Sequence, residues 1–362
     1  MSSRVPEPRT VVPPLPGAAT SQDSPLPGRG RKALLGLALG MAVSAVFLWL
    51  AVRDANLASV WRSLNEARAS LVALAVVAMA GVYLIQALRW RSIVASPRLG
   101  TARFVEMVVS GVACNNVLPA RLGDLLRARW LSREARIPSG RAFGTVVLDR
   151  GSDLVSLLLL LALGLAAVGN RSTWLMSMAI AAAVGVLALG ALILGARVFI
   201  RRDAGALRRF GLIGRLVRDA VQLLAEPMGR RRPLGWLVLS LCAWLVWALG
   251  AIAVARALGF RLGLTEAIFV TAVMNLGVAI PSAPGFVGSY EWLGVASLRL
   301  FGVHQSQALA FAIVLHASWY VPTTLAGGAA LGIRAYLRLH RHAWAAGPRS
   351  RRLGKATAYE RS

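Results

Sequence analysis

Residues 234–255 read LGWLVLSLCAWLVWALGAIAVA, an unbroken stretch without Asp, Glu, Lys or Arg. A helix of that length covers roughly 33 Å, enough to cross a hydrocarbon core of roughly 30 Å. Residues 33–52, 70–88, 173–196 and 305–333 share the property. One such run could be a signal sequence; five together describe a polytopic membrane protein. Composition agrees, since 57% of the chain is hydrophobic and 15% charged, against about a quarter charged in soluble domains.

The net charge is +26, and Lys32 and Lys355 are the only lysines. In a soluble chain this would suggest nucleic acid. Here the arginines gather between the apolar runs, as in cytoplasmic loops, where they also attract anionic headgroups. No nucleic-acid partner is expected. Residues 1–32, rich in Pro, Ser and Gly, read as a disordered basic cytoplasmic tail, and residues 336–362 as a second basic cytoplasmic tail. The transmembrane domain spans 33–335 between them.

Arginine positions set the topology. Arg89, Arg91, Arg98 and Arg103 precede residues 104–120, and Arg121, Arg127, Arg129, Arg133, Arg136 and Arg141 follow. With both flanks cytoplasmic, 104–120 cannot be a single crossing. It also carries Glu106, Asn115, Asn116 and Pro119. It reads as a re-entrant hairpin, tolerated where protein or a wet cavity covers its backbone. Residues 143–169 cross outward and 174–200 return. The loop 201–233 is arginine-rich, and Leu207, Ile213, Leu216, Val217, Leu223 and Leu224 have the spacing of an amphipathic surface helix. After the 234–255 span, two short arms, 264–281 and 285–302, flank Pro281, Pro284, Gly285 and Gly288. Residues 305–333 cross last. The fold class is all-α: about six full transmembrane helices plus two Pro/Gly-broken re-entrant hairpins. About eight full spans satisfy the same charge pattern. Both termini are cytoplasmic in this topology.

The halves, about 33–169 and 173–335, then run span, span, hairpin, span with opposite orientation, as an inverted repeat. Each hairpin carries Asn, Pro, Gly and a carboxylate in that order. Gly/Pro-interrupted short segments at matching places in inverted halves point to a transporter's central site.

Charges at membrane depth cost at least roughly 2.5–3.5 kcal/mol each, so they need partners or a cavity. Asp149, Arg150 and Asp153 lie inside the 143–169 span. Asp149 and Asp153 share a helix face and need a cation between them. Arg150 points elsewhere, so Arg121 or Arg127 is the expected counter-charge. Glu291 is expected to pair with an arginine as the second half's equivalent of Asp124. His316 reads as a bundle-core histidine. A structural salt bridge and a wet cavity for an anionic headgroup are both compatible with these residues. There is no Walker loop, zinc pattern or Gly-x-Ser-x-Gly elbow, so no ATP hydrolysis, metal or cofactor is expected.

Three segments carry a family resemblance. Residues 116–127, NVLPARLGDLLR, 149–153, DRGSD, and 281–291, PSAPGFVGSYE, resemble three signatures of the lysylphosphatidylglycerol synthase transmembrane family, also called flippase-like membrane proteins. The family usually has Glu where Asp124 and Asp149 stand. The resemblance implies a bacterial inner-membrane protein whose relatives move lipids between leaflets. In the multiple peptide resistance factors this module is fused to a cytosolic aminoacyl-transfer domain. No such domain is expected here, so a transporter is expected rather than an enzyme.

On this reading Arg121, Arg127, Arg150, Asn116 and Asn275 bind an anionic phospholipid or lipid-linked headgroup, helped by hairpin helix N-termini. Asp124, Asp149, Asp153 and Glu291 orient the arginines or carry protons. Pro119, Gly123, Pro281, Pro284, Gly285 and Gly288 are the hairpin hinges. The alternative is a non-catalytic scaffold for a separate lipid-modifying synthase, recruited through 201–233 or the tail.

Overall fold

The computed structural model describes residues 29–96, 98–118, 121–168, 211–225, 231–278 and 282–345, with a few helical positions between 177 and 198. Both expected tails for the most part, most of the 174–200 span, Pro119 and Pro281 lie outside these residues. Every regular element among them is helical.

The first apolar run forms α1 (Arg29–Val52), and a short break leads into α2 (Leu57–Asn65), bent by 85°. Asn56 caps α2, its side chain accepting from the Ser59 N–H at 3.0 Å. This amphipathic helix buries Val60 and exposes Leu57 and Trp61. The second run forms α3 (Ala69–Val94), which stops at Ala95 in the left-handed conformation. Then come α4 (Thr101–Val117), α5 (Leu122–Ala135) and α6 (Ser139–Val168). The second half supplies α7 (Gly211–Ala225), α8 (Arg231–Ala257), α9 (Leu264–Gly277), a 3₁₀ turn at Pro284–Phe286, α10 (Ser289–Arg299) and α11 (Gln305–Ala345). Among the described residues, α3, α8 and α11 are long and apolar enough to cross a bilayer, and the bent α1–α2 pair would add a fourth span. The expected amphipathic helix in 201–233 is α7, which turns Ala220 and Leu223 inward and leaves Val217 exposed.

The first hairpin differs from its expected form. α4 runs unbroken to Val117, and the returning arm is α5, which begins at Leu122, the segment whose arginines read as a cytoplasmic flank. The reason is electrostatic. Arg127 is buried and neutralised by aspartates, and a count of arginines does not distinguish an arginine paired inside the protein from one in a loop. Leu118, preceding Pro119, is extended, as a residue before proline prefers.

Exchanging the two halves maps the packing onto itself. α4 packs along α11 as α9 packs along α6, α5 along α6 as α10 along α11, and α2 on α11 as α7 on α6. The pair α3–α8 maps onto itself. The equivalences are therefore α2 with α7, α3 with α8, α4 with α9, α5 with α10, and α6 with α11. At one end of α4, Arg103 binds Glu106 and Glu134, and Arg334 of α11 binds Glu106 while lying over the Trp130 ring. This cluster fastens the first hairpin to the last helix.

Candidate functional site

Three aspartates and three arginines meet between α3, α5 and α6. Asp149 and Asp153 share a face of α6, and the cation between them is Arg89 of α3. It donates to Asp149 at 2.9 Å and to Asp153 at 2.6 and 3.0 Å, and its side chain is fully buried. Ser240 of α8 accepts a further Arg89 bond at 2.6 Å. Arg127 of α5 donates to the other Asp149 oxygen at 2.9 Å while its guanidinium lies over the Trp90 ring. Arg150 binds Asp124 through two nitrogens, at 2.8 and 3.2 Å, and comes within 3.7 Å of Asp153.

This network corrects three expectations. Arg89 is the main counter-charge to the Asp149–Asp153 pair, with Arg127 assisting; Arg121 bonds to neither. Arg150 does not point away from the cluster. Its Cα lies off the shared face, but its long side chain reaches both Asp124 and Asp153. Glu291 pairs with a histidine instead of an arginine, since His316 Nδ1 lies 2.6 Å from its Oε1.

The six charges cancel, and Arg121 is left over. It is exposed, makes no carboxylate ion pair among the described residues, and donates to the carbonyl of Val278 at the end of α9. Its backbone is left-handed, φ 52°, and so is that of Phe286, φ 61°, a conformation that costs a non-glycine residue of order 1–2 kcal/mol. These two residues, one from each hairpin tip, touch: the Arg121 guanidinium lies 5.6 Å from the Phe286 ring centre. Unfavourable backbone conformations that persist cluster at sites where the surroundings hold them.

Between the tips lies a cavity of about 310 Å³, lined among others by Arg121, Asp124, Arg150, Asp153, Asn115, Asn116, Asn275, Phe286 and three tryptophans, Trp244, Trp247 and Trp319. Asn116 donates to Thr324 at 2.8 Å, and its Oδ1 is buried without a partner among the described residues. Asn275 turns its amide back to the Thr271 carbonyl at 2.9 Å. The cavity gathers Arg121, Arg150, Asn116 and Asn275; Arg127 sits behind it, in the ion-pair network. No group of three His, Cys, Asp or Glu side chains placed to hold a metal occurs among the described residues.

The expected hinge glycines do different jobs. At Gly123 a Cβ would lie 1.9 Å from the Gly111 carbonyl oxygen, so close packing of α4 on α5 excludes a side chain there. Gly285 and Gly288 adopt φ of 76° and 89°, which glycine accepts at no steric cost. Pro284 opens the 3₁₀ turn at this tip.

Against this architecture the family described as the lysylphosphatidylglycerol synthase TM region matches residues 37–327. The chain belongs to this family. As a member it is a multi-pass membrane protein, and the match contains both hairpins and all six clustered charges. It is 28% identical over 309 residues to a protein named Glycosyltransferase AglD from Haloferax volcanii, covering 73% of this chain and 49% of that protein. The chain thus spans about half the length of that relative. It is also 27% identical over 278 residues to a UPF0104 membrane protein of Methanothermobacter thermautotrophicus, covering 70% of this chain and 82% of that protein.

Proposed function

We propose that this protein translocates a lipid with an anionic headgroup across the membrane, and that the headgroup passes through the cavity between the hairpin tips. The carrying observation is charge balance. The ion-pair network, whose Asp124, Arg150 and Asp153 also line the cavity, consumes its own charges, so Arg121 is the lining cation without a carboxylate ion pair among the described residues. A guanidinium in that setting selects phosphate or carboxylate. Flanking apolar helices give the lipid's chains a hydrocarbon path. The exchangeable halves supply two packings for alternating access, with the site at their junction. In this reading the protein is a transporter, resides in a bacterial inner membrane and keeps both termini cytoplasmic.

A second reading, a non-catalytic scaffold for an aminoacyl-phosphatidylglycerol or polyprenyl-glycan synthase, is favoured by one observation: the matched region covers only about half of a relative named as a glycosyltransferase. Headgroup-accessibility assays in proteoliposomes separate the two. Wild type should move fluorescent anionic lipid, and Arg121→Ala should lose that movement while unfolding at the wild-type temperature. If wild type moves neither anionic nor zwitterionic lipid, translocation is abandoned for the scaffold.

A further inference from the structure

The exchange of halves extends to individual side chains. Asp124 is the third residue of α5, and Glu291 the third of α10. Each follows a residue of positive φ, Arg121 or Gly288. Their partners match as well: Arg150 stands eleven residues beyond the first residue of α6, and His316 eleven beyond that of α11. The pairs Asp124–Arg150 and Glu291–His316 are structural equivalents with one chemical difference. A guanidinium stays charged in proteins, whereas an imidazole gains and loses its charge.

We infer that Glu291–His316 is a proton-binding site, and that passage of the headgroup through the cavity is coupled to one proton taken up and released there. This rests on the translocation reading. Both residues are only 6% exposed. With Nδ1–H directed at the carboxylate, the lone pair is on Nε2, and Nε2 is buried without a partner among the described residues. Protonation forms one N–H bond there. It converts a carboxylate–imidazole pair of charge −1 into a neutral carboxylate–imidazolium pair. The proton comes from water on one side of the membrane and returns to water on the other.

Among the described residues, aromatic rings make the close ring contacts of His316. The rings of Tyr290, Trp319 and Tyr320 lie 4.7, 5.0 and 5.4 Å from His316. Tyr83 of α3 and Trp247 of α8 lie near Tyr290. α1 contributes Ser44 and Phe47 against the second hairpin. On the other neighbours, Glu266 of α9 binds the Gly263 N–H at the start of its own helix, and Glu106 of α4 is held by Arg103 and Arg334. Among the described residues no arginine or lysine forms an ion pair with Glu291.

The site is also attached to the hairpin tip. The second oxygen of Glu291 accepts from the Gly288 N–H at 2.6 Å. Two residues before Gly288 stands Phe286, which lines the cavity and touches Arg121. On the other side, His316 stacks on Trp319, a second cavity wall, at 26° between ring planes. A charge change at His316 therefore acts one side chain away from the headgroup on either side.

The test uses full-length protein in liposomes containing a fluorescent anionic phospholipid, with voltage clamped by potassium and valinomycin and a one-unit pH gradient. One proton per lipid shifts the steady-state leaflet ratio by about tenfold. His316→Gln should return the ratio to about one while lipid still equilibrates, and thermal unfolding confirms that the variant folds. Glu291→Gln provides the same readout should His316→Gln not fold. Wild-type lipid movement whose leaflet ratio ignores the gradient overturns coupling and leaves translocation standing. A tenfold shift that survives in both variants overturns this site. Absence of any wild-type lipid movement overturns translocation and coupling together.

Discussion

The two hairpins place a carboxylate at the same point and surround it in opposite ways. In the first, Asp124 belongs to a network of six permanent charges spread over α3, α5 and α6. In the second, Glu291 meets a single histidine inside a cage of aromatic rings. Both carboxylates stand three residues after a residue of positive φ, yet one is held by arginines and the other by a histidine, which can change charge. The repeated backbone sets where a charge goes, and the local neighbours decide whether it is constant.

The strongest way to break this comparison is Arg89→Met. It leaves Asp149 and Asp153 buried with too little positive charge, a loss of about 3–5 kcal/mol. The unfolding temperature in detergent should fall sharply, and a wild-type value would show that the network does not fix the first half. Glu291→Gln retains a side-chain acceptor for Gly288 and should cost well under half as much in the same assay.

Next come the glycines. Gly123→Ala forces a Cβ against the Gly111 carbonyl and should cost about 1–3 kcal/mol through overpacking. Gly288→Ala meets the Ser44 carbonyl oxygen at 2.3 Å and adds the penalty of a left-handed alanine, so it should exceed Gly123→Ala in denaturant unfolding. The reverse order would mean that packing outweighs backbone conformation at the tips.

The smallest effects separate the asparagines. Asn115 accepts from the Gly123 N–H at 2.8 Å, and losing that bond should cost about 1 kcal/mol. Asn275, on the other hairpin, bonds within its own helix among the described residues. Asn275→Ala should therefore cost less than Asn115→Ala, and equal losses would contradict the assignment of the Asn115 bond.

Much of this was legible in the sequence. Uncharged runs marked the long helices, and Pro284, Gly285 and Gly288 marked the second tip, because those residues punctuate helices for local reasons. The Asp149–Asp153 pair was legible from its spacing alone. Arg89 was not, because it stands beside Arg91, Arg98 and Arg103 and its partners are about 60 residues away. The return arm α5 was hidden for the same reason. His316 carried no local signal of pairing with Glu291, and α2 is too short and mixed to stand out from a loop.

The last helix has a consequence of its own. At 1.5 Å per residue, the 41 residues of α11 extend about 60 Å. The same rod carries His316 beside the second hairpin and, roughly 27 Å further on, Arg334 clasped to Glu106 of the first. It is fastened at two points, with Pro322 between them. Under the translocation proposal, a tilt begun at one hairpin would reach the other along this helix, past Pro322, without crossing the cavity.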